Sequence, residues 1–440
     1  MKVGVAKVDI TPKTAIRLSG YAARDNAETH HVFHNLFAKA IAFGNDQQQP
    51  SIFITVDLLS IPRRVTELVT NAIKHKANIK SSNISIAATH THGGPEVGSL
   101  FNHLLCLGDY PNTYHFSDSL LGLKELIHLA EYLELLVQKL VDLAIESLNN
   151  RRDCIVSWGM GELTFAVNRR THAGPVLNMM PLMRITDHNG KLQAILINYA
   201  CHGITLGPDV NEIHGDWMGE AQKLIEQLYP GVLCLISIGC AAELHPIKQG
   251  SKEHIIEYSM EIAKQVEQLI NAELHPINTP PKIAAKWISL PFEKVPTIPE
   301  LIKTAKENTI KGYYSRLALE RIARGEKLPK KIKYPIQVWN FDDQLLMINL
   351  GGEVALDYST RLQQELHNIP IWINSYSNDV SCYIPSKRLL AEGGYEAVDS
   401  MYWYDKPTKF SAKIENKIIK TVLKLIAKKS DLYQKKTTNL

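Results

Sequence analysis

The chain has 440 residues, of which 45% are hydrophobic and 21% charged, and a formal net charge of +4. This globular balance can bury a large core and leaves one or two domains open. The charge is small for the size and the lysines gather in two stretches, 303–333 and 406–436, that read as solvated faces, so nothing points to nucleic acid; no apolar run approaches the roughly 20 residues that span a bilayer.

Met1 to Pro12 reads as a first strand ending at a Thr-Pro turn. It lacks the apolar stretch and cleavage site of a secretory leader, so a cytoplasmic location is expected. The six cysteines, Cys106, Cys154, Cys201, Cys234, Cys240 and Cys382, form no C-x-x-C pair, and most of them are expected reduced and buried. Leu18 to Asn26 is a loop turning at Ser19-Gly20-Tyr21, and His30, His31 and His34 follow in a polar loop near a cleft. Strands are expected over Ala38–Phe43 and Ser51–Asp57, with Asp57 a neighbour of any site at that end, and a helix over Arg64–Ala77.

Ile84-Ser85-Ile86-Ala87-Ala88-Thr89-His90-Thr91-His92-Gly93-Gly94-Pro95 is an apolar strand running into two histidines and a glycine turn. On an extended backbone, side chains at i and i+2 point the same way, so His90 and His92 can face one volume. Imidazole is the commonest protein ligand for zinc and a common acid or base near neutral pH, although solvated loop histidines give the same local pattern. Glu96 to Leu123 is irregular, a candidate rim or lid, and Leu129–Leu148 is an amphipathic helix.

Strands over Ile155–Gly161 and Leu163–Val167 end at Asn168-Arg169-Arg170. Ala194–Ala200 repeats the earlier design, emptying into Cys201-His202-Gly203. His214-Gly215-Asp216-Trp217-Met218-Gly219 begins a helix through Tyr229, and Val232–Ile238 is a strand ending at the small-residue turn Gly239 to Ala242. Helices follow over His254–Ala272 and, after the turn-rich Pro276–Pro281, over Ile298–Arg324. Gln344–Leu350 is a strand leading to Gly351-Gly352-Glu353, Trp372–Tyr376 another, and Asn378–Tyr395 a loop. Ser411–Lys428 is a helix packed on the domain, and 430–440 a fraying polar tail after a single domain spanning 1–429.

Four apolar strands thus end at His90 and His92, at His202, at Gly239 and at Glu353. In sheets of parallel character such ends converge where ligands bind. Two histidines and a glutamate are a familiar catalytic zinc set with a position left for water. No G-x-S-x-G is present, which argues against a conventional serine hydrolase.

In this order, Gly4 to Pro12, Gly20-Tyr21-Ala22, Thr89 to Pro95, Asn168-Arg169, Cys201-His202, Asp216 to Gly219, Gly351-Gly352-Glu353, and Tyr383 with Gly394-Tyr395-Glu396 resemble the N-terminal catalytic domain of the neutral/alkaline ceramidase family over nearly the whole chain. The resemblance implies an α/β fold with a mixed-sheet core flanked by helices. It also implies a zinc amidase with one Zn2+ per chain held by His90, His202, Glu353 and Tyr383, and with His92, Arg169 and Tyr395 around the scissile amide.

Two departures stand out. Where lipid-cleaving members carry Gly-Asp-Val-Ser-Pro-Asn, this chain has Ala242-Glu243-Leu244-His245-Pro246-Ile247, so His245 replaces the serine and becomes a candidate for shaping substrate or moving a proton. The sequence also stops where those members continue into an immunoglobulin-like domain. The expected function is hydrolysis of an N-acyl amide by metal-activated water, on a ceramide-like lipid or a smaller acylated amine such as an acetamido sugar. The alternatives are a (β/α)8 amidohydrolase and a non-catalytic binding relative. Acyl length, leaving amine and oligomeric state stay open.

Overall fold

The computed structural model describes residues 1–24, 27–97, 123–170, 173–367 and 369–429. In chain order the first part contains β1 (Lys2–Asp9), β2 (Phe37–Phe43), β3 (Ser51–Val56), α1 (Arg63–Ala77), β4 (Ile84–Ala88), α2 (Leu123–Asn149) and β5 (Arg152–Asp153). These strands form one mixed sheet in the order β4-β3-β2-β1-β5, in which only β3 and β4 run parallel. Every residue of β3 and β4 is buried, which is why their sequences are continuous apolar runs rather than alternating ones.

The middle third supplies β6 (Ile155–Glu162), β7 (Ala166–Asn168), β8 (Met179–Thr186), β9 (Leu192–Tyr199), α3 (Asp216–Leu228), β10 (Leu233–Ile238), β11 (Leu244–Pro246), α4 (Lys252–Ile270) and β12 (His275–Ile277). Its main sheet has the order β10-β9-β8-β6-β12, with β9 and β10 parallel; β7 and β11 form a separate ribbon. The last third has β13 (Lys282–Pro291), α5 (Ile298–Thr304), α6 (Ile310–Ala323), β14 (Lys331–Asn340), β15 (Leu346–Leu350), β16 (Glu353–Val354), α7 (Leu356–Glu365), β17 (Ile371–Asn374), β18 (Tyr383–Ile384), α8 (Lys387–Glu392), a π turn over Tyr395–Asp399, α9 (Ser400–Trp403) and α10 (Ile414–Ala427). Its sheet runs β13-β14-β15-β17, with β15 and β17 parallel.

Each of the three larger sheets therefore contains one parallel pair joined through a helix: β3-α1-β4, β9-α3-β10 and β15-α7-β17. The sheets meet through backbone hydrogen bonds at the ends of these units, Ala88 N to Tyr376 O at 3.1 Å, Ser375 N to Ile238 O at 2.9 Å and Asn378 N to Ile86 O at 2.7 Å. Between them Phe43, Phe53, Leu196, Trp339, Phe341 and Trp372 form a shared apolar core. The mixed-sheet α/β fold is as expected, and these open sheets with antiparallel pairs do not form a closed (β/α)8 barrel among the described residues.

Several elements differ from the sequence reading. Strands β8, β13 and β14 and helix α7 were not anticipated. In β8 and β14 a proline breaks the strand signal, yet Pro181 and Pro335 each pair on one side only, the second partner strand starting one residue later at Leu182 and Ile336. A missing N–H is tolerated there. The single helix over 298–324 is two, α5 and α6, because Thr309 accepts from Gly312 N at 3.1 Å and caps a new start. The loop over 378–395 contains β18 and α8, and of 163–167 only the end joins β7. Cys154, Cys201, Cys234, Cys240 and Cys382 are free and buried. The candidate lid over 96–123, Cys106 and the polar tail lie wholly or mostly outside the described residues.

Candidate metal centre and active-site cavity

His90 stands two residues beyond β4 with a φ of +60°, a left-handed conformation that costs a non-glycine residue about 1–3 kcal/mol. The turn is held by His90 N donating to Leu58 O at 2.9 Å and by His90 Nδ1 at 2.8 Å from Leu59 O. His90 and His92 do come together, with ring centroids 5.0 Å apart, but through this turn and not through the strand alternation expected from the sequence. Gly203 follows His202 at a close crossing, where a Cβ would lie 2.8 Å from His90 O, so the two histidine loops can touch only with glycine there.

His202 is positioned from both sides. Its Nδ1 lies 2.7 Å from Ala241 O and 3.0 Å from Leu244 O, and its carbonyl accepts from Trp217 Nε1 at 3.0 Å. Asp216, buried at the start of α3, accepts from Thr205 N and Leu206 N, both at 3.2 Å, and so pins the loop after His202. The Asp216-Trp217 pair thus acts by holding a histidine.

Glu353 and Tyr383 arrive by a third route. They are register partners in the parallel ribbon of β16 and β18, which sets their side chains next to each other. Glu353 Oε2 lies 3.2 Å from His90 Nε2 and 3.2 Å from His202 Nε2, and the Tyr383 hydroxyl lies 3.4 Å from His202 Nε2. Glu353, His90 and His202 are each 1% exposed.

The donor atoms of this cluster are of the kind that could hold a cation. Nδ1 of both histidines faces backbone carbonyls, so Nε2 is the nitrogen that each turns toward the Glu353 carboxylate. His90 Nε2 has no well-formed hydrogen bond. Burial opposes ionisation of Glu353, but the adjacent His90 and His202 outweigh it and hold the carboxyl well below its usual range. Ligands 2.0–2.1 Å from a tetrahedral zinc sit about 3.3 Å from one another, close to the observed separations. His90, His92 and His202 also form a group whose ligand atoms all lie within 4.8 Å and could hold a metal.

Above the cluster is a cavity of about 670 Å³ lined by Tyr21, His92, Arg169, Tyr383, Tyr395 and Glu396 among others. His92 is 9% exposed and neither ring nitrogen has a hydrogen-bond partner among the described residues. Burial, then the neighbouring His90 and His202, drive its pKa well below the ordinary imidazole value. Gly20, with φ +101°, covers it so closely that a Cβ would lie 2.3 Å from His92 Nδ1. Arg169 donates from Nε to Glu396 at 2.9 Å and from Nη2 to Ala242 O at 2.8 Å and Tyr383 OH at 3.0 Å. Tyr395 packs edge-on to Tyr383, ring centroids 5.6 Å apart, at the cavity mouth.

Other sequence candidates lie elsewhere. His245 sits on β11 opposite Val167 and is not among the residues lining this cavity; burial and then Arg169 lower its pKa. His34 pairs with Glu220 at 2.5 Å and, with Asp57, borders a separate polar cavity, while His30 and His31 are exposed. Three contributors carried no sequence signal of their own. Tyr404 bonds Glu353, Tyr376 lays its ring 4.2 Å from that of His90, and Arg170 shares Glu396 with Arg169.

Residues 1–114 match the family described as neutral/alkaline non-lysosomal ceramidase, N-terminal. The fold matches the crystal structure of neutral ceramidase from Pseudomonas aeruginosa with a TM-score of 0.72 at 16% identity, covering 99% of this chain and 74% of that one. It likewise matches a structure described as ceramidase complexed with C2, with a TM-score of 0.73 at 16% identity, covering 97% of this chain and 75% of that one. The resemblance drawn from the ordered motifs is borne out, and the mixed α/β fold is neutral-ceramidase-like.

Proposed function

We propose that this chain is a zinc-dependent hydrolase that cleaves an N-acyl amide with water as nucleophile. The observation that carries the reading is the Glu353 carboxylate oxygen set between the Nε2 atoms of His90 and His202 beneath a cavity lined by His92, Arg169 and Tyr395. His90, His202, Glu353 and Tyr383 would hold the ion. Zinc in such a site supplies a hydroxide-like nucleophile near pH 7 and polarises a carbonyl.

The chain's own groups do the rest. His92, kept neutral by burial, accepts the proton lost by the attacking water and returns it to the departing amine. Arg169 and Tyr395 donate to the oxyanion as the carbonyl carbon becomes tetrahedral; two of the three Arg169 nitrogens are bonded to Tyr383, Glu396 and Ala242, so its position is fixed before substrate arrives. His245 replaces the serine of the lipid-cleaving relatives and stands outside the cavity lining, which supports direct attack by water and a structural part for this histidine.

The volume of the cavity and the charged side chains in its wall, Arg169, Arg170, Glu392 and Glu396, favour a compact acylated amine, such as an acetamido sugar, over a long-chain ceramide. Metal analysis with a panel of N-acyl substrates tests the reading. About one zinc per chain and amide cleavage that is lost in His90→Ala support it; undiminished activity in metal-free protein contradicts it.

A further inference from the structure

We infer that Glu392 is a specificity-determining group that reads hydroxyls on the leaving amine, so that the substrate class is a neutral N-acylated amino sugar. The inference rests on the amidase reading and deepens it, naming what is recognised on the acylated amine and by which residue.

Glu392 is the last residue of α8 and lines the cavity together with His92, Arg169 and Tyr395. Its side chain is 32% exposed, so a ligand in the cavity can reach it. Oε1 accepts from Arg388 Nη1 at 3.0 Å; Oε2 accepts from Arg170 Nη2 at 2.9 Å and from the same Arg388 nitrogen at 3.4 Å. An ionised carboxylate offers about four acceptor positions, so the two arginines fix Glu392 without exhausting it. Burial opposes its ionisation, but Arg388 and Arg170 outweigh this and hold the carboxyl below its usual range. Beyond α8 the chain turns through Gly393 and Gly394, both at positive φ, and a Cβ on Gly394 would lie 3.2 Å from Arg170 Nη1. Glycine lets this turn close over the guanidinium that anchors Glu392.

Charge selects among ligands. The arginines and glutamates in the cavity wall are paired with one another, Arg169 with Glu396 at 2.9 Å and Arg170 with Glu396 at 2.7 Å and Glu392 at 2.9 Å. A cation at Glu392 would meet Arg170 and Arg388 on the same carboxylate, and an anion would meet the carboxylate itself. An alkyl chain would strip water from Glu392 and return no hydrogen bond, which is costly for a charged group. A neutral hydroxyl avoids all three penalties and donates to the carboxylate in a charge-assisted bond. Tyr395, 42% exposed in the same cavity, adds a ring face against which the C–H side of a sugar can pack.

The test measures kcat/KM of zinc-loaded full-length protein on N-acetylated amines that differ only beyond the amide. These are N-acetylglucosamine, N-acetylgalactosamine and N-acetylmannosamine, with N-cyclohexylacetamide as a ring without hydroxyls, N-acetylputrescine as a cation and N-acetylglycine as an anion. The best of the sugars should exceed each of the others at least tenfold, because a site built to hydrogen-bond a hydroxyl rejects the analogue lacking it. The ratio of that sugar to N-cyclohexylacetamide should fall at least fivefold in Glu392→Ala and by less in Glu392→Gln, which keeps an acceptor oxygen. A merely structural part for Glu392 would lower both substrates together and leave the ratio unmoved. A wild-type ratio under tenfold, or an unmoved ratio in Glu392→Ala, overturns the inference and leaves the amidase reading in place. If Glu392→Ala fails to fold, the direction of the same ratio in Glu392→Gln decides. If no amide is cleaved, the amidase reading falls and calorimetry with the sugars decides on Glu392 separately: binding that weakens at least fivefold in Glu392→Ala upholds the hydroxyl site, and no binding by the wild type removes it.

Discussion

Tyr404 donates its hydroxyl to Oε1 of Glu353, while the opposite oxygen, Oε2, stands 3.2 Å from Nε2 of both His90 and His202. One carboxylate is thereby divided between a positioning contact and a contact to the two histidines that would face the proposed ion. Partners of this kind fix ligand orientation, and losing one typically costs about 10–100-fold in metal affinity. Tyr404→Phe should fold normally, bind zinc about that much more weakly in competition with a chelator, and recover activity at saturating zinc. Unchanged zinc affinity would show that the hydroxyl does not orient the carboxylate.

His92 and the metal cluster should separate. His92→Ala should retain zinc at wild-type stoichiometry while kcat drops by about 10²–10⁴, the usual worth of a general acid-base group. A loss of zinc in this variant would make His92 a ligand instead, as its place in the group with His90 and His202 allows.

Arg169 and Tyr395 are assigned to the oxyanion. Removing one preorganised donor costs about 3–4 kcal/mol of barrier, so Arg169→Lys should lower kcat by about 10²–10³ with little change in KM. Tyr395→Phe, at an exposed mouth position, should act in the same direction with no loss of thermal stability. An effect on KM alone would assign both residues to substrate binding.

Glu243 gives a pH test independent of the metal. Burial pushes its carboxyl up to about 7, against stabilising hydrogen bonds from Leu356 N and the nearby Arg388. The folded state thus holds a proton that the unfolded state releases near its ordinary pKa of 4.5. Stability from this group is full below pH 4.5 and is lost as pH rises through about 7. The difference in Tm between wild type and Glu243→Gln should therefore fall across this range and level off above it. Parallel curves would show that Glu243 is not protonated in the fold.

The parts of the centre visible in sequence are those where chemistry and strand endings coincide. His90, His202 and Glu353 each follow an apolar run and stand within three residues of a glycine, a local pattern that a single chain displays. Tyr383 came only through the resemblance, because its place next to Glu353 depends on a two-residue ribbon pairing segments 30 positions apart. Tyr404 carried no signal, since what marks it is a tertiary contact with Glu353. Strands β8 and β14 were hidden by prolines whose tolerance depends on which neighbour strand extends past them. The helix expected over 298–324 was divided by a cap at Thr309 that a window of helical spacing averages away.

The most direct measurement is a crystal structure of zinc-loaded protein with anomalous data collected across the zinc edge. One ion is predicted between His90 Nε2, His202 Nε2 and Glu353 Oε2, at about 2.0–2.2 Å from each, with the Tyr383 hydroxyl as fourth ligand and His92 outside bonding distance. An ion bound elsewhere, or none bound by the folded chain at saturating zinc, would contradict the account.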